Sequence, residues 1–244
     1  MDTARIAALL QPFVEPSLPE SMLEQISTYI DLLLRWNARI NLTAIRHPEE
    51  IVTRHFGESL FLARHLFPHS SQPCHPERSE GSAFCLASTP GAPLIAHSAM
   101  RGPPSHPRVL DIGSGAGFPA LPLKLWAPHI HLTLIESNHK KAAFLREVAR
   151  ALTLTNINVL TDRAETLASR PGFPRAEVVT LRAVEHFETI LPQAATFLAQ
   201  NATLALLIST AQVHHLTTQT TLKWHPPIPV PESHTRVLSI GIHT

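Results

Sequence analysis

The stretch Arg108-Val109-Leu110-Asp111-Ile112-Gly113-Ser114-Gly115-Ala116-Gly117-Phe118-Pro119 constrains the fold of this chain more than any other. Val109 to Ile112 is a short β-branched, apolar run that ends in glycines, which predicts a buried strand. Gly113, Gly115 and Gly117 follow at alternate positions, and Leu121 to Trp126 resumes a helical pattern. Strand, glycine turn and helix together bring bare backbone beside a helix N-terminus, where a nucleotide-like ligand can approach closely. The dinucleotide fingerprint G-x-G-x-x-G needs a third small residue at position 118. Phe118 stands there, so that fingerprint is not matched. A glycine-rich turn without a ligand is the competing reading, and three glycines at the exit of a buried strand weigh against it.

The 244 residues are enough for one large domain, or one domain with an appendage. A net charge of +1 neither demands nor excludes a nucleic-acid partner. No apolar run reaches the length of a membrane span, and Asp2 and Arg5 interrupt any signal-like core, so the cytoplasm is expected. Cys74 and Cys85 lack C-x-x-C spacing, which argues against a zinc site or a disulfide framework. Sixteen histidines invite a metal reading. His65 and His69 have helical ligand spacing and His214 adjoins His215, yet neither pair sits in an H-E-x-x-H frame or beside a cysteine. No metal site is expected.

The first 66 residues read as helical. Ser17 and Glu20 have the spacing of a capping box, with Pro19 in the first turn. Leu23, Ile26, Ile30, Leu33 and Leu34 then recur on one face, and Asn37 to Thr43 reads as a connector. A second helix is predicted from about Pro48, carrying Ile51, Val52, His55, Ser59 and Leu62, with Glu49 and Glu50 in its first turn. Arg35, Arg39, Arg46, Arg54 and Arg64 gather in this half. They suit a phosphate-facing surface as well as an ordinary solvated one. Residues 68–107 are rich in Pro, Ser and His and have no apolar period, so they read as a disordered insertion.

From Arg108 onward strands and helices alternate, the pattern of an α/β fold with a parallel sheet covered on both faces. Strands are predicted at His131–Ile135, Ile157–Leu160, Glu177–Leu181 and Thr203–Ile208, with weaker ones near Leu222 and at Arg236–Ile242. Asn138 can cap a helix bearing Phe144, Leu145 and Val148, and another helix is predicted from about Glu188 to Ala199. In such a sheet the ligand lies across the carboxyl ends of the strands, at the topological switch point. The glycine turn, Glu136, Ala164-Glu165 and Arg182 therefore converge. Glu136 lies about twenty residues past the glycines, where an acid can accept hydrogen bonds from ribose hydroxyls.

The pattern D-x-G-x-G-x-G, from Asp111 to Gly117, resembles the first motif of S-adenosylmethionine (SAM) methyltransferases. Absences narrow the acceptor. Exocyclic amine methylation usually goes with an Asp/Asn-Pro-Pro-aromatic turn after the fourth strand, where this chain has Leu181-Arg182-Ala183-Val184. Pyrimidine C5 methylation needs a cysteine nucleophile, and both cysteines lie in the insertion. Guanine N7 carries a free lone pair and no proton, so it needs neither device, only positioning.

Several motifs then coincide in order: Trp36-Asn37, Asn41-Leu42-Thr43-Ala44-Ile45, Arg54-His55-Phe56, Ser59-Leu60, Asp111 to Pro119, Glu136-Ser137, Lys140 to Leu145, and Arg182-Ala183-Val184. Together they resemble the small-subunit rRNA guanine-N7 methyltransferase family, RsmG, formerly glucose-inhibited division protein B, over roughly 20–66 and 108–208. The resemblance implies a Rossmann-like class I methyltransferase fold: a mostly parallel seven-stranded sheet with helices on both faces, plus an N-terminal helical extension. By the same resemblance residues 1–67 form the RNA side and 108–244 the SAM-binding domain. It implies a monomeric enzyme, with no membrane partner, that uses SAM to methylate guanine N7 in the decoding region of 16S rRNA. Cofactor contacts carry over to Gly113, Phe118, Glu136, Ala164, Glu165 and Arg182, and RNA-side contacts to Asn41, Arg54 and His55.

Four positions depart from the family pattern. Ala120 replaces a glycine after Phe118-Pro119, and Glu58 replaces an aspartate before Ser59. Ser209-Thr210 stands where Lys-Gly is usual, and the chain ends Gly241-Ile242-His243-Thr244 without the usual lysine. Two other readings stand beside this one: a methyltransferase for a small molecule, and a ribosome-binding assembly factor without catalysis, which only the altered C-terminal half supports.

Overall fold

The computed structural model describes residues 1–68, 106–182, 187–218 and 221–244. Most of the stretch read as an insertion lies outside these described residues, as do His69, Cys74, Cys85, Ala183 and Val184.

The N-terminal half is helical, with local differences from expectation. Helix α1 (Thr3–Leu10) is capped by Asp2, which accepts from the Arg5 amide. Helix α2 (Glu20–Ile40) starts one residue after Pro19, the N-cap, and no side chain caps it. The expected Ser17–Glu20 capping box does not form, because a residue before proline is held out of the helical region. Leu18 thus keeps Ser17 too far upstream to cap. Asn37 to Ile40 also belong to α2 rather than to a connector. The buried Asn37 amide grips both the N–H and the C=O of Thr43, at 3.0 and 2.9 Å, so the following turn folds back on the last helical turn. Asn41 ends the helix in the left-handed region, at φ 48°. The helix predicted from Pro48 opens as α3 (Pro48–Glu50), widens into a π-helical section at Ile51–Gly57 and continues as α4 (Glu58–Leu66). Such π sections mark functional sites often enough to matter here.

Beyond Arg108 the alternation expected from the sequence is present: β1 (Arg108–Ile112), α5 (Ala120–Trp126), β2 (His131–Ile135), α6 (His139–Ala151), β3 (Ile157–Leu160), α7 (Ala164–Ala168), β4 (Ala176–Arg182), α8 (Phe187–Thr196) and β5 (Leu198–Ser209). A 3₁₀ helix (Thr210–Thr218) and three strands follow: β6 (Leu222–Trp224), β7 (Ile228–Pro229) and β8 (Arg236–His243). Seven strands run in the order β3-β2-β1-β4-β5-β8-β6, and the two-residue β7 pairs with β8 as an eighth. The five strands from β3 to β5 are parallel, while β8 is antiparallel to β5, β6 and β7. The order reverses between β1 and β4, which places the switch point there.

Alternation along the strands divides the core. Val109, Leu132, Leu134, Val178, Ala205 and Leu207 face the side covered by α1, α2 and α4–α6. Leu110, Ile112, Val179, Leu181, Leu204 and Leu206 face α7 and α8. The N-terminal helices thus share one continuous core with the first face of the sheet. Among the described residues no helix is long and apolar enough to cross a membrane.

Candidate functional site

The site starts with the backbone of the glycine turn. Gly113, Gly115 and Gly117 all have positive φ, and the amides of Gly113 and Ser114 both donate to the Ile135 carbonyl, at 2.9 and 3.1 Å. A Cβ built on Gly113 would meet no atom within 4 Å, so that face of the turn is open. One built on Gly117 would lie 2.3 Å from the Tyr29 hydroxyl and 2.6 Å from Leu121. The first glycine leaves room for a ligand, whereas the third lets the turn pack. Ala120 is tolerated because it lies in α5 with negative φ.

Glu136, buried at the end of β2, braces this turn. Its Oε2 accepts from the Gly115 amide and its Oε1 from the Asn138 amide, each at 2.8 Å. Each oxygen keeps a second lone pair, so the carboxylate can still accept from a diol. Asp111 sits beneath the turn, fully buried. Its Oδ1 accepts from the Thr180 hydroxyl at 2.6 Å, and its Oδ2 has no partner. Burial pushes this carboxyl up to about 7, against the hydrogen bond from Thr180 that pulls it down.

Phe118 points away from the open face, into the N-terminal helices. Its ring lies between Tyr29 (centroids 5.3 Å apart, 7° between planes) and His55 (4.6 Å, 16°), with Phe56 edge-on at 5.1 Å. Only the Phe118 backbone therefore belongs to the turn's surface. Tyr29 adds a buried hydrogen bond from its hydroxyl to the Ala116 carbonyl, at 2.6 Å.

His55, on the π-helical section, joins this stack to β4. Arg182, the last residue of β4, donates from Nη1 to His55 Nδ1 at 2.9 Å. A guanidinium can only donate, so Nδ1 must accept and the proton resides on Nε2, which donates to Thr43 Oγ1 at 2.8 Å. Burial, then the charges of Arg182, Arg54 and Arg236, lower the His55 pKa from 6.5 to about 3 and keep the ring neutral. Arg182 also donates from Nη2 to the Arg54 carbonyl and to Glu58 Oε2.

The remaining expected residues are placed as follows. Ala164 and Glu165 open α7 after β3, Ala164 buried and Glu165 exposed. Arg54 pairs with Glu58 at 3.1 Å. Asn41 is exposed, and its left-handed backbone shapes the turn into Leu42-Thr43. The structure thus brings together Gly113, Phe118, Glu136, Arg54, His55 and Arg182, and gives Asn41, Ala164 and Glu165 no bond to that group. Sequence reasoning missed Tyr29, Thr180 and Arg236. It quoted Asp111 and Glu58 without giving them roles, although Asp111 is the acid of the D-x-G-x-G-x-G pattern. A cleft of about 770 Å³ lined by Arg108, His131, Arg170 and Arg175 opens at the opposite, amino ends of the strands. There Arg108 is already held by Glu177 at 2.6 Å, so that cleft adds nothing to this site.

Comparison with known proteins identifies the family. The family described as GidB, rRNA small subunit methyltransferase G, matches residues 22–74 and 96–225. The chain is 37% identical over 175 residues to ribosomal RNA small subunit methyltransferase G of Roseiflexus castenholzii, covering 71% of this chain and 59% of the relative. It is 31% identical over 175 residues to the protein of that name in Bacillus subtilis, with the same two coverages. The chain therefore spans about 59% of the length of these relatives. A crystal structure of a SAM dependent methyltransferase from Aquifex aeolicus aligns with TM-score 0.47 and 15% identity, over 57% of this chain and 82% of that one. With a doubly wound sheet, a glycine turn at its switch point and matches over both halves, the chain belongs to the rRNA small subunit methyltransferase G family.

Proposed function

We propose that the protein transfers a methyl group from SAM to N7 of a guanine in 16S rRNA, as part of the small ribosomal subunit. The observation that carries this reading is the contact of Phe118 with His55, which locks a cofactor-type glycine turn to the helices that carry the family's N-terminal motifs. The residues present suit SAM. Gly113 has an open face, Glu136 has free lone pairs for ribose hydroxyls, and the Phe118 backbone, Ala164, Glu165 and Arg182 lie on or beside the carboxyl edge of the parallel strands. When bound, SAM supplies an electrophilic methyl on a cationic sulfur.

Chemistry asks little more of the chain. Guanine N7 has no proton to lose, so no general base is needed, and the work of the side chains is to orient and to exclude water. His55 is suited to that work, because a neutral ring fixed at both nitrogens neither takes up a proton nor turns. Asn41, Arg54 and His55 then belong to the RNA side of the pocket. The test is to incubate the protein with labelled SAM and small subunits that lack the modification, and to map the label by mass spectrometry. One methylated guanine is expected. A protein that binds SAM yet leaves every guanine unlabelled would overturn the reading.

A further inference from the structure

Glu58 is 1% exposed, and three guanidinium groups converge on its carboxylate. Arg54 Nε donates to Oε1 at 3.1 Å, while Arg182 Nη2 and Arg236 Nη2 donate to Oε2 at 3.0 and 3.3 Å. Among the described residues three positive charges thus face one negative charge, an excess of two that the neutral His55 does not offset. The cluster holds more donors than acceptors. Arg182 Nε and Arg236 Nε are buried without partners, and Arg236 Nη1 and both terminal nitrogens of Arg54 have no acceptor among the described residues. Buried cations with unspent donors are costly unless an anion joins them.

Topology explains why Arg236 is there. Arg182 ends β4, and β5 lies between β4 and β8. Because β8 runs antiparallel to β5, its first residue, Arg236, comes to the same edge as the last residues of the parallel strands, opposite Ser209. The two arginines are not equally available. Arg182 is 8% exposed and spends both terminal nitrogens on Glu58, His55 and the Arg54 carbonyl. Arg54 is 44% exposed and Arg236 17%, and these two hold the unspent terminal N–H groups.

We propose that Arg54 and Arg236, held in place by Glu58 and Arg182, bind a backbone phosphate of the RNA strand beside the target guanine. A phosphodiester would accept the planar, paired N–H groups that guanidinium presents and neutralise half of the charge excess. Arg236 is a binding residue in this assignment, and Glu58 is a positioning residue that keeps the two cationic side chains from separating. The proposal rests on the rRNA reading above.

The experiment measures binding of small-subunit RNA across a salt series, and binding of SAM by calorimetry, for the intact protein and for Arg236→Gln, Arg54→Gln and Arg236→Lys. Each phosphate contact contributes roughly 0.7 to the slope of log affinity against log salt on a single strand. Arg236→Gln and Arg54→Gln should each flatten the slope by about that amount and weaken RNA binding about five- to tenfold, with SAM affinity within about twofold of the parent. Arg236→Lys should restore the slope. Exposed Arg54 keeps the test sound if Arg236→Gln folds poorly. Unchanged slopes in both glutamine variants, with the parent binding RNA, would overturn the site alone. A larger loss of SAM than of RNA affinity would make the anion the cofactor's carboxylate and also overturn it. A parent that does not bind RNA would overturn the rRNA reading and the site with it.

Discussion

Asp111 and His55 titrate in opposite senses over the same pH range, and their opposition is testable. His55 has a pKa of about 3 in the fold against 6.5 in an unfolded chain. Between those values the unfolded state binds a proton that the native state refuses, so this residue makes stability rise with pH. Asp111 stands at about 7 in the fold against 3.8 unfolded. Between those values the native state holds a proton that the unfolded state releases, so this residue makes stability fall as pH rises. From 3.8 to 6.5 the two slopes cancel. Asp111→Asn keeps an acceptor for Thr180 and removes one of the two slopes. Relative to the parent, its unfolding free energy should climb by about 1.4 kcal/mol per pH unit between about pH 4.5 and 6.5. Urea titrations at both ends check this, and parallel pH profiles for parent and variant would refute it.

At the scale of elements, the glycine turn separates binding from stability. Gly113 has φ +69° and open space around its missing Cβ, while Gly117 has φ +87° and the Tyr29 hydroxyl and Leu121 in the way. Gly113→Ala should cost only the left-handed strain, about 1–2 kcal/mol, or a few degrees of melting temperature in a chain of this size. Its methyl group would enter the ligand's space, so SAM affinity should fall at least about tenfold, the equivalent of 1.4 kcal/mol. Gly117→Ala adds a steric clash to the strain and should melt at a clearly lower temperature than Gly113→Ala. Thermal melts with calorimetric SAM titrations distinguish the two, and a reversed order of melting would show that the turn packs differently. This turn was legible in the sequence because its information is local: apolar strand, positive-φ residues, helix. The core strands β1 to β4 and the Asn138 cap were legible for the same reason. The Ser17–Glu20 capping box failed because proline's steric effect at Leu18 outweighs a favourable side-chain spacing. Arg236 escaped notice because no local pattern reveals that an antiparallel strand brings its first residue, not its last, to the carboxyl edge of the parallel strands. Tyr29 reads as one more apolar position on an amphipathic helix, and only the fold reveals that its hydroxyl meets the turn 87 residues away.

At the scale of the molecule, the N-terminal helices and the glycine turn behave as one body. Tyr29 of α2 stacks on Phe118, meets Phe56 edge-on at 5.2 Å and bonds the Ala116 carbonyl at 2.6 Å, so a single side chain ties helix, π-helical section and glycine turn. Around it Ile26, Ile30 and Leu33 of α2, Phe144 and Leu145 of α6, and Val109 of β1 belong to one buried cluster. The N-terminal helices share this cluster with α5, α6 and the first face of the sheet, so they have no separate core to retain when the sheet melts. The two halves should therefore unfold together. Urea denaturation followed by tryptophan fluorescence, which samples Trp36 in α2, Trp126 in α5 and Trp224 in β6, should coincide with far-UV circular dichroism in one transition. Tyr29→Phe keeps the ring stack and removes one buried hydrogen bond, leaving the Ala116 carbonyl without its donor. The expected cost is about 1–3 kcal/mol, read as a lower midpoint with unchanged slope. SAM affinity should fall as well, although Tyr29 lies behind the turn, because the carbonyl it holds fixes the loop between Gly115 and Gly117. Two separated transitions, or a Tyr29→Phe variant that loses stability with no change in SAM binding, would mean that the helices and the turn are joined more loosely than this stack implies.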